Sequence, residues 1–295
     1  MSNQPVLVTG ADTGIGRQTV ETLAKNGHRI YAGAYLQSSI DELNKLENVK
    51  AHQLDVTKQD SIDKLAEWIS SQGDGLYGVV NNAGVADNWP TMEMTEAEFH
   101  RVVNINLYGV FRVTNTLMPM LIESKGRVVT MGSLSGTIPT KFIGPYSVSK
   151  FGVEALMDIY YFEMRPFGLH FATVKPGNVK SNITKQMVPI FEKRKDRIAT
   201  SHFRNELEML QKGLKNEDVL ERVEYEPPTR VVAAIEHALY SDTPKTKYFV
   251  TTYEDNKAGL GWMLRVIAQL NQGHTYPVSR EDLHAMLDKQ LDKFA

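Results

Sequence analysis

The chain has 295 residues, 42% of them hydrophobic and 23% charged, with a formal net charge of −2. That is enough apolar matter for one large core, and the near-neutral balance gives no reason to expect a nucleic-acid partner. No cysteine is present, which excludes disulfides, thiol nucleophiles and cysteine-ligated metal sites.

Strand and helix signals alternate from the start. Pro5–Thr9 is a short apolar run read as a buried strand, with too little chain before it for a leader peptide. A glycine-rich turn follows, then a helix from Ile15 to Asn26 closed by Gly27. Strands are expected at Arg29–Ala34, Val49–Leu54, Leu76–Val80, Arg127–Met131 and Leu169–Lys175. Helices are expected at Ser39–Leu46, from Thr57 to Ile69, from Thr95 to Ile122 and over Pro145–Met164. Ser39/Glu42, Thr57/Asp60 and Thr95/Glu98 carry helix-starting spacings. Strands followed by helices build right-handed βαβ units and a parallel sheet.

After Pro176 the rhythm breaks. Residues 178–226 read as charged helix without a strand, then a helix near Arg230–Tyr240 and a strand near Tyr248–Thr251 resume the pattern. The fold expected is a doubly wound, Rossmann-type α/β sheet of about seven strands, helices on both faces, with a helical insertion after strand six. The whole of 1–295 is read as one domain, with a substrate-lid insertion at about 183–226 and a helical tail at about 254–295. In that tail Ser279 with Asp282 has capping spacing. The apolar stretch Gly259–Leu270 is too short to span a bilayer and contains Arg265, so it reads as a packed helix, with contact to a membrane surface as the alternative. No transmembrane segment is expected, and a cytoplasmic location is the expectation.

Between the first strand and helix, Gly10, Gly14 and Gly16 are spaced G-x-x-x-G-x-G. A glycine turn opening a helix suits a dinucleotide: the backbone can approach closely, and free N–H groups meet the pyrophosphate. Gly10, Asp12, Thr13, Gly14, Ile15 and Gly16 are therefore candidate cofactor contacts. The adenosine 2′ position is read at the end of the second strand, where Ala34 and Tyr35 stand. Neither is basic, which favours NAD over NADP, although Arg17 and Lys45 could serve a 2′-phosphate.

Tyr146 and Lys150 lie one helical turn apart. A phenol is a poor base near neutrality, with a pKa of roughly 10. A neighbouring ammonium and an oxidised nicotinamide both favour the phenolate, so the Tyr146 pKa is expected to fall. Ser133, ending the fifth strand, is either a hydrogen-bond donor to a substrate oxygen or a simple turn serine. No metal-ligand spacing is visible.

Thr9–Gly16, Asn81-Asn82-Ala83-Gly84, Asn106, Ser133, Tyr146-x-x-x-Lys150 and Pro176-Gly177, in this order, resemble the short-chain dehydrogenase/reductase family. The resemblance is strong over about residues 5–182 and weaker over 228–252. The turn and the long C-terminal part are similar to the branch of retinol, hydroxysteroid and 3-hydroxybutyrate dehydrogenases. The resemblance implies an oxidoreductase passing hydride between NAD or NADP and a secondary alcohol or ketone. It implies that Tyr146 carries the proton, Lys150 lowers the Tyr146 pKa and binds the nicotinamide ribose, and Ser133 orients the substrate. Asn106 would hold a water in a relay to Lys150, or else be a buried helix-bend asparagine. Asp55 with Val56 would touch the adenine, or Asp55 is a turn residue. Asn82, Ala83 and Gly84 would line the adenosine ribose. Pro176, Gly177, Val179 and Ser181 would hold the carboxamide side, Ser181 standing where the family usually has Thr.

Met187, Ile190, Phe191, Ile198, Phe203, Leu207 and Leu210 give the insertion an apolar side, which either lines a pocket for a bulky, partly apolar substrate or packs on the body. The helices at 96–122 and 145–164 are apolar on more than one face (Leu107, Val110, Phe111, Phe151, Leu156 and Ile159), and relatives pair them, which implies a homodimer or homotetramer. The rival reading is a non-catalytic dinucleotide sensor or scaffold on the same fold.

Overall fold

A computed structural model of the chain describes residues 5–222 and 224–294. It falls into two compact units, residues 1–252 and 253–295. The first holds seven strands: β1 (Val6–Thr9), β2 (Ile30–Ala34), β3 (Val49–Gln53), β4 (Gly78–Asn81), β5 (Arg127–Met131), β6 (His170–Pro176) and β7 (Lys247–Val250). All pair in parallel, in the order β3-β2-β1-β4-β5-β6-β7. The order reverses between β1 and β4, and a crevice forms beyond the carboxyl ends of strands at such a reversal.

Successive strand residues serve opposite layers. Val6 and Val8 face one side, packing with Val20 and Leu23 of α1 (Gly14–Lys25), Ile40 of α2 (Gln37–Leu43) and Ile235 of α10 (Thr229–Tyr240). Leu7 faces the other side with Leu65 of α3 (Gln59–Ser71), Val113 of α5 (Gly109–Ser124) and Val153 of α6 (Gly144–Met164). Both faces are dry, which is why the strands read as continuous apolar runs.

Helix starts depart from expectation at two places. α2 begins at Gln37 with Leu36 as its cap, so Ser39 lies inside the helix. The Leu36 N–H donates instead to the distant Asp12 carboxylate, at 2.9 Å. α3 is capped at Lys58, not Thr57, whose hydroxyl donates to Asp55. At α4 (Glu96–Val103) the Thr95–Glu98 capping box is present, and α4 runs through a π turn at Asn104–Tyr108 into α5.

The insertion contains α7 (Ile183–Glu192), α8 (Arg204–Gly213) and α9 (Glu217–Glu221). Phe191, Ile198 and Leu207 form a small core around the fully buried Trp89. A buried charge cluster fastens it: Arg194 donates two hydrogen bonds of 2.8 Å to Asp87, and Glu98 pairs with Arg194 at 2.6 Å and Arg197 at 2.8 Å.

In the second unit, α11 (Tyr253–Gln272) and α12 (Arg280–Phe294) form a helical pair of elements. The Asp282 N–H donates to the Ser279 hydroxyl, the expected cap. Leu260, Met263, Leu264, Ile267 and Leu270 of α11 are exposed. No helix among the described residues is long and apolar enough to cross a membrane.

A side-chain carbon on Gly16 would stand 2.3 Å from the Gly10 carbonyl oxygen and 2.4 Å from Asn82 Nδ2. Gly16→Ala should therefore destabilise the first unit by about 1–3 kcal/mol, as overpacking against backbone does. Urea unfolding monitored by circular dichroism checks this; an unchanged midpoint would contradict it.

Candidate active site

A cavity of about 1000 Å³ opens at the carboxyl ends of the central strands. Its lining brings together Gly10, Asp12, Thr13, Gly14, Ile15, Tyr35, Asp55, Val56, Asn82, Ala83, Gly84, Ser133, Tyr146, Lys150, Pro176, Gly177, Val179 and Ser181. Two expected site residues are absent from this wall. Gly16 packs the turn against β4, and Asn106 is buried beneath it.

One end of the cavity suits a dinucleotide. Gly10 and Gly14 have φ of +67° and +59°, and a Cβ on Gly10 would meet Ala83 Cα at 2.8 Å. Thr13 caps α1 without a side-chain hydrogen bond, and the first turn has no acidic residue, so its N–H groups stay open to an anion. Asn82 Nδ2 donates to the carbonyls of Thr9 and Gly10 (3.0 and 3.1 Å), locking the turn to β4. The Asp12 carboxylate accepts the N–H groups of Tyr35 and Leu36. Arg17 is committed to Glu21 and Glu42, so its expected availability for a phosphate is not realised. Asp55 accepts from the N–H and hydroxyl of Thr57, the geometry of a turn residue that still lines the cavity.

At the other end, α6 places Tyr146 and Lys150 on one face. Lys150 Nζ donates to the Met131 carbonyl at the end of β5 (2.6 Å) and lies 5.7 Å from the Tyr146 ring centre. Burial pulls the Lys150 pKa down to about 8, opposed by the Glu154 carboxylate one turn on. Glu154 pairs with Lys175 and Lys247. In the free protein burial pushes the Tyr146 phenol above its usual value, while the Ser133 hydrogen bond and the Arg222 charge act downward; the expected fall counts the charge of an oxidised nicotinamide as well. Removing a phenolate from water outweighs both.

Asn106 sits in the π turn. Its Oδ1 accepts from the Val85 N–H at 2.9 Å, and its Nδ2 donates to the Val85 carbonyl and the Ser149 hydroxyl at 2.9 and 3.1 Å. Its side chain thus braces the segment after β4 against α6, with both Nδ2 protons taken and one acceptor site left on Oδ1.

The model for "short chain dehydrogenase" matches residues 4–189. The chain belongs to the short chain dehydrogenase family. It is 32% identical over 260 residues to human short-chain dehydrogenase/reductase family 9C member 7, covering 84% of this chain and 82% of that protein. It is 32% identical over 254 residues to mouse retinol dehydrogenase 5 (82% and 79% covered). Bovine mitochondrial D-beta-hydroxybutyrate dehydrogenase is 32% identical over 273 residues (86% and 78%). A short-chain dehydrogenase of Streptomyces avermitilis superposes with a TM-score of 0.73 at 23% identity, covering 91% of this chain and 95% of that one, a likeness of fold. The protein is accordingly an NAD(P)-dependent oxidoreductase.

In this short chain dehydrogenase several lining residues were not singled out by the sequence reading, Arg222 among them. Arg222, at the end of α9, lines the cavity with Tyr146. It also lines a second, adjoining space of about 550 Å³ walled by Met187, Phe191 and Leu210 of the insertion. A single arginine in a charged segment carries no spacing signal. The apolar residues of the insertion divide their work: Ile198 and Leu207 pack, while Met187 and Leu210 face the space.

The Lys150 shift carries a stability consequence. Below pH 8 the group is charged whether folded or unfolded, and the full burial penalty, roughly 3 kcal/mol, is present. Between pH 8 and about 10.5 the unfolded chain binds the extra proton, so the penalty fades as pH rises. Lys150→Met should thus raise the unfolding midpoint at pH 7 and lose that advantage by pH 10, read from thermal melts across that range. A variant melting lower at pH 7 would contradict this account of Lys150.

Proposed function

We propose that the protein interconverts a secondary alcohol and a ketone, with Tyr146 carrying the proton and NAD as the preferred cofactor. The observation that carries the reading is the convergence of Ser133, Tyr146 and Lys150 on one wall of the cavity whose far end is the Gly10–Gly14 turn. The turn and the open N-terminus of α1 would hold the pyrophosphate, with Asn82, Ala83, Gly84 and the Pro176–Ser181 segment along its length. The bound nicotinamide supplies the hydride acceptor or donor. Ser133 donates a hydrogen bond to the substrate oxygen. Tyr146 takes the alcohol proton in oxidation and returns it in reduction. Lys150, fixed on the Met131 carbonyl, places positive charge beside the phenol and favours its ionised form. Asn106 is a positioning residue, holding the Val85 segment against α6.

Support for NAD comes from Asp12. Its carboxylate occupies the N-terminus of α2 beside Tyr35, where a 2′-phosphate would need cations. A phosphate there would meet a like charge, whereas a 2′-hydroxyl could donate to it. The second space supports a bulky, partly apolar substrate. Exposed Phe111, Phe151, Ile159 and Phe162 along α5 and α6 support assembly with further copies of the chain through that face.

Tyr146→Phe should retain NAD binding within about threefold while turnover falls about 10²–10⁴-fold, the usual span for a lost general acid–base. Full turnover in that variant would remove Tyr146 from the reaction, and absence of any hydride transfer from the wild type across alcohols and ketones would favour a non-catalytic nucleotide binder. For the cofactor, wild-type kcat/KM should favour NAD over NADP by about tenfold or more, and Asp12→Asn should narrow that ratio. A preference for NADP in the wild type would overturn the NAD reading.

A further inference from the structure

Arg222 lies over the Tyr225 ring, 4.3 Å from its centre, and is fixed otherwise by uncharged acceptors. It closes α9 in the left-handed region, φ +52°, and its guanidinium forms part of the wall common to both spaces. Nε donates to the Val179 carbonyl at 2.8 Å, Nη2 to Asn178 Oδ1 at 3.2 Å and Nη1 to the Thr184 hydroxyl at 3.3 Å. All three acceptors are neutral oxygens. They fix the plane of the group without neutralising it, and they leave one N–H on each terminal nitrogen, the donor pair that a carboxylate accepts.

Of the acidic side chains nearby, the Glu224 carboxylate acts on Arg222 through space without closing an ion pair, and the others are engaged elsewhere. Glu221 pairs with Lys185, and Glu226 with Arg230. Asp87, on the wall of the second space, is taken by Arg194 and Arg101. Among the described residues no Asp or Glu forms an ion pair with Arg222. The other cations on the two walls are also committed: Lys141 to Glu206, Lys185 to Glu221, and Lys150 to the Met131 carbonyl. A half-buried guanidinium with no carboxylate in contact is only partly compensated, and an anion that meets its two free N–H groups improves the balance. The charge of Arg222 is felt at the Tyr146 phenol, which places it beside the reacting end of the cavity. Beyond it lies the apolar space of about 550 Å³.

We propose that Arg222 receives a carboxylate of the substrate, so that the enzyme acts on hydroxy acids and the matching oxo acids whose aliphatic chain runs into the space lined by Met187, Phe191 and Leu210. This rests on the reading of Tyr146 as proton carrier. In the oxidative direction the carbinol carbon loses hydride to the oxidised nicotinamide and its hydroxyl proton goes to Tyr146; the carboxylate stays unchanged as a handle. Neutral alcohols of the same length would leave the cation uncompensated and bind less well.

The test compares hydroxyhexanoates, with the hydroxyl at successive carbons, against their methyl esters, using wild type, Arg222→Gln and Arg222→Lys. For at least one positional isomer, wild-type kcat/KM should favour the acid over its ester by about 10–100-fold, the weight of a charged hydrogen-bonded pair. Arg222→Gln should collapse the acid-over-ester ratio through the KM of the acid, any change in kcat from its charge on the Tyr146 phenol falling on acid and ester alike, and Arg222→Lys should recover part of the ratio. Equal or better use of the esters by the wild type would overturn the proposal. So would equal losses for acid and ester in Arg222→Gln, the signature of a strut between α9 and the Val179 segment. Calorimetry with hexanoate itself, which cannot react, separates this claim from the one beneath it. Hexanoate binding that depends on Arg222, without turnover of any alcohol, would sink the hydride-transfer reading and support the anion site. Turnover of neutral alcohols without hexanoate binding would do the reverse.

Discussion

The hydrogen bond from the Lys150 ammonium to the Met131 carbonyl is the joint on which the site depends. It ties the first turns of α6 to the carboxyl end of β5, and so brings Tyr146 alongside Ser133, which follows β5 by two residues. The bond is buried, and that burial sets up the electrostatics. The same lack of water that holds Lys150 near pKa 8 pushes the Tyr146 phenol upward. Each group is thus pushed toward its neutral form, opposed at Lys150 by the Glu154 carboxylate and at Tyr146 by the Ser133 hydrogen bond and the Arg222 charge.

The remaining charges around the cavity divide into two kinds. Some are closed on the protein itself. Asp87 with Arg194 and Arg101, and Glu98 with Arg194 and Arg197, clamp the insertion onto the segment after β4. Removing one partner of such a buried pair strands the other, so the clamp fixes the position of the wall more than it adds stability. Others face the cavity with spare capacity: the Asp12 carboxylate at one end and Arg222 at the other. A carboxylate toward one end and a guanidinium near the phenol give the cavity a polarity along its length.

The fold was largely legible because short apolar runs and βα alternation are local signals. The Arg127–Met131 strand and the Thr95–Glu98 box are found where they were read. The α2 start failed for a long-range reason: its N-terminus is satisfied by Asp12, 24 residues earlier, which no capping pattern around Ser39 can reveal. The site was legible where a motif forces residues together, as at Gly10–Gly14 and Tyr146–Lys150. It was not legible where the outcome is a competition of terms. The sequence shows an ammonium near a phenol and suggests a lowered pKa; only the degree of burial shows that desolvation wins in the free protein. Arg222 was hidden for a third reason: its role arises from what its neighbours are already bonded to.

The central claim is that Tyr146 is a desolvated phenol whose ionisation depends on positive charge brought beside it. The most direct measurement is an ultraviolet difference titration of the phenolate band, wild type minus Tyr146→Phe, first in the free protein and then with oxidised nicotinamide dinucleotide bound. The account predicts ionisation above the ordinary tyrosine range in the free protein and a clear downward move on binding. A titration at or below the ordinary value in the free protein, or one indifferent to the bound cation, would contradict it.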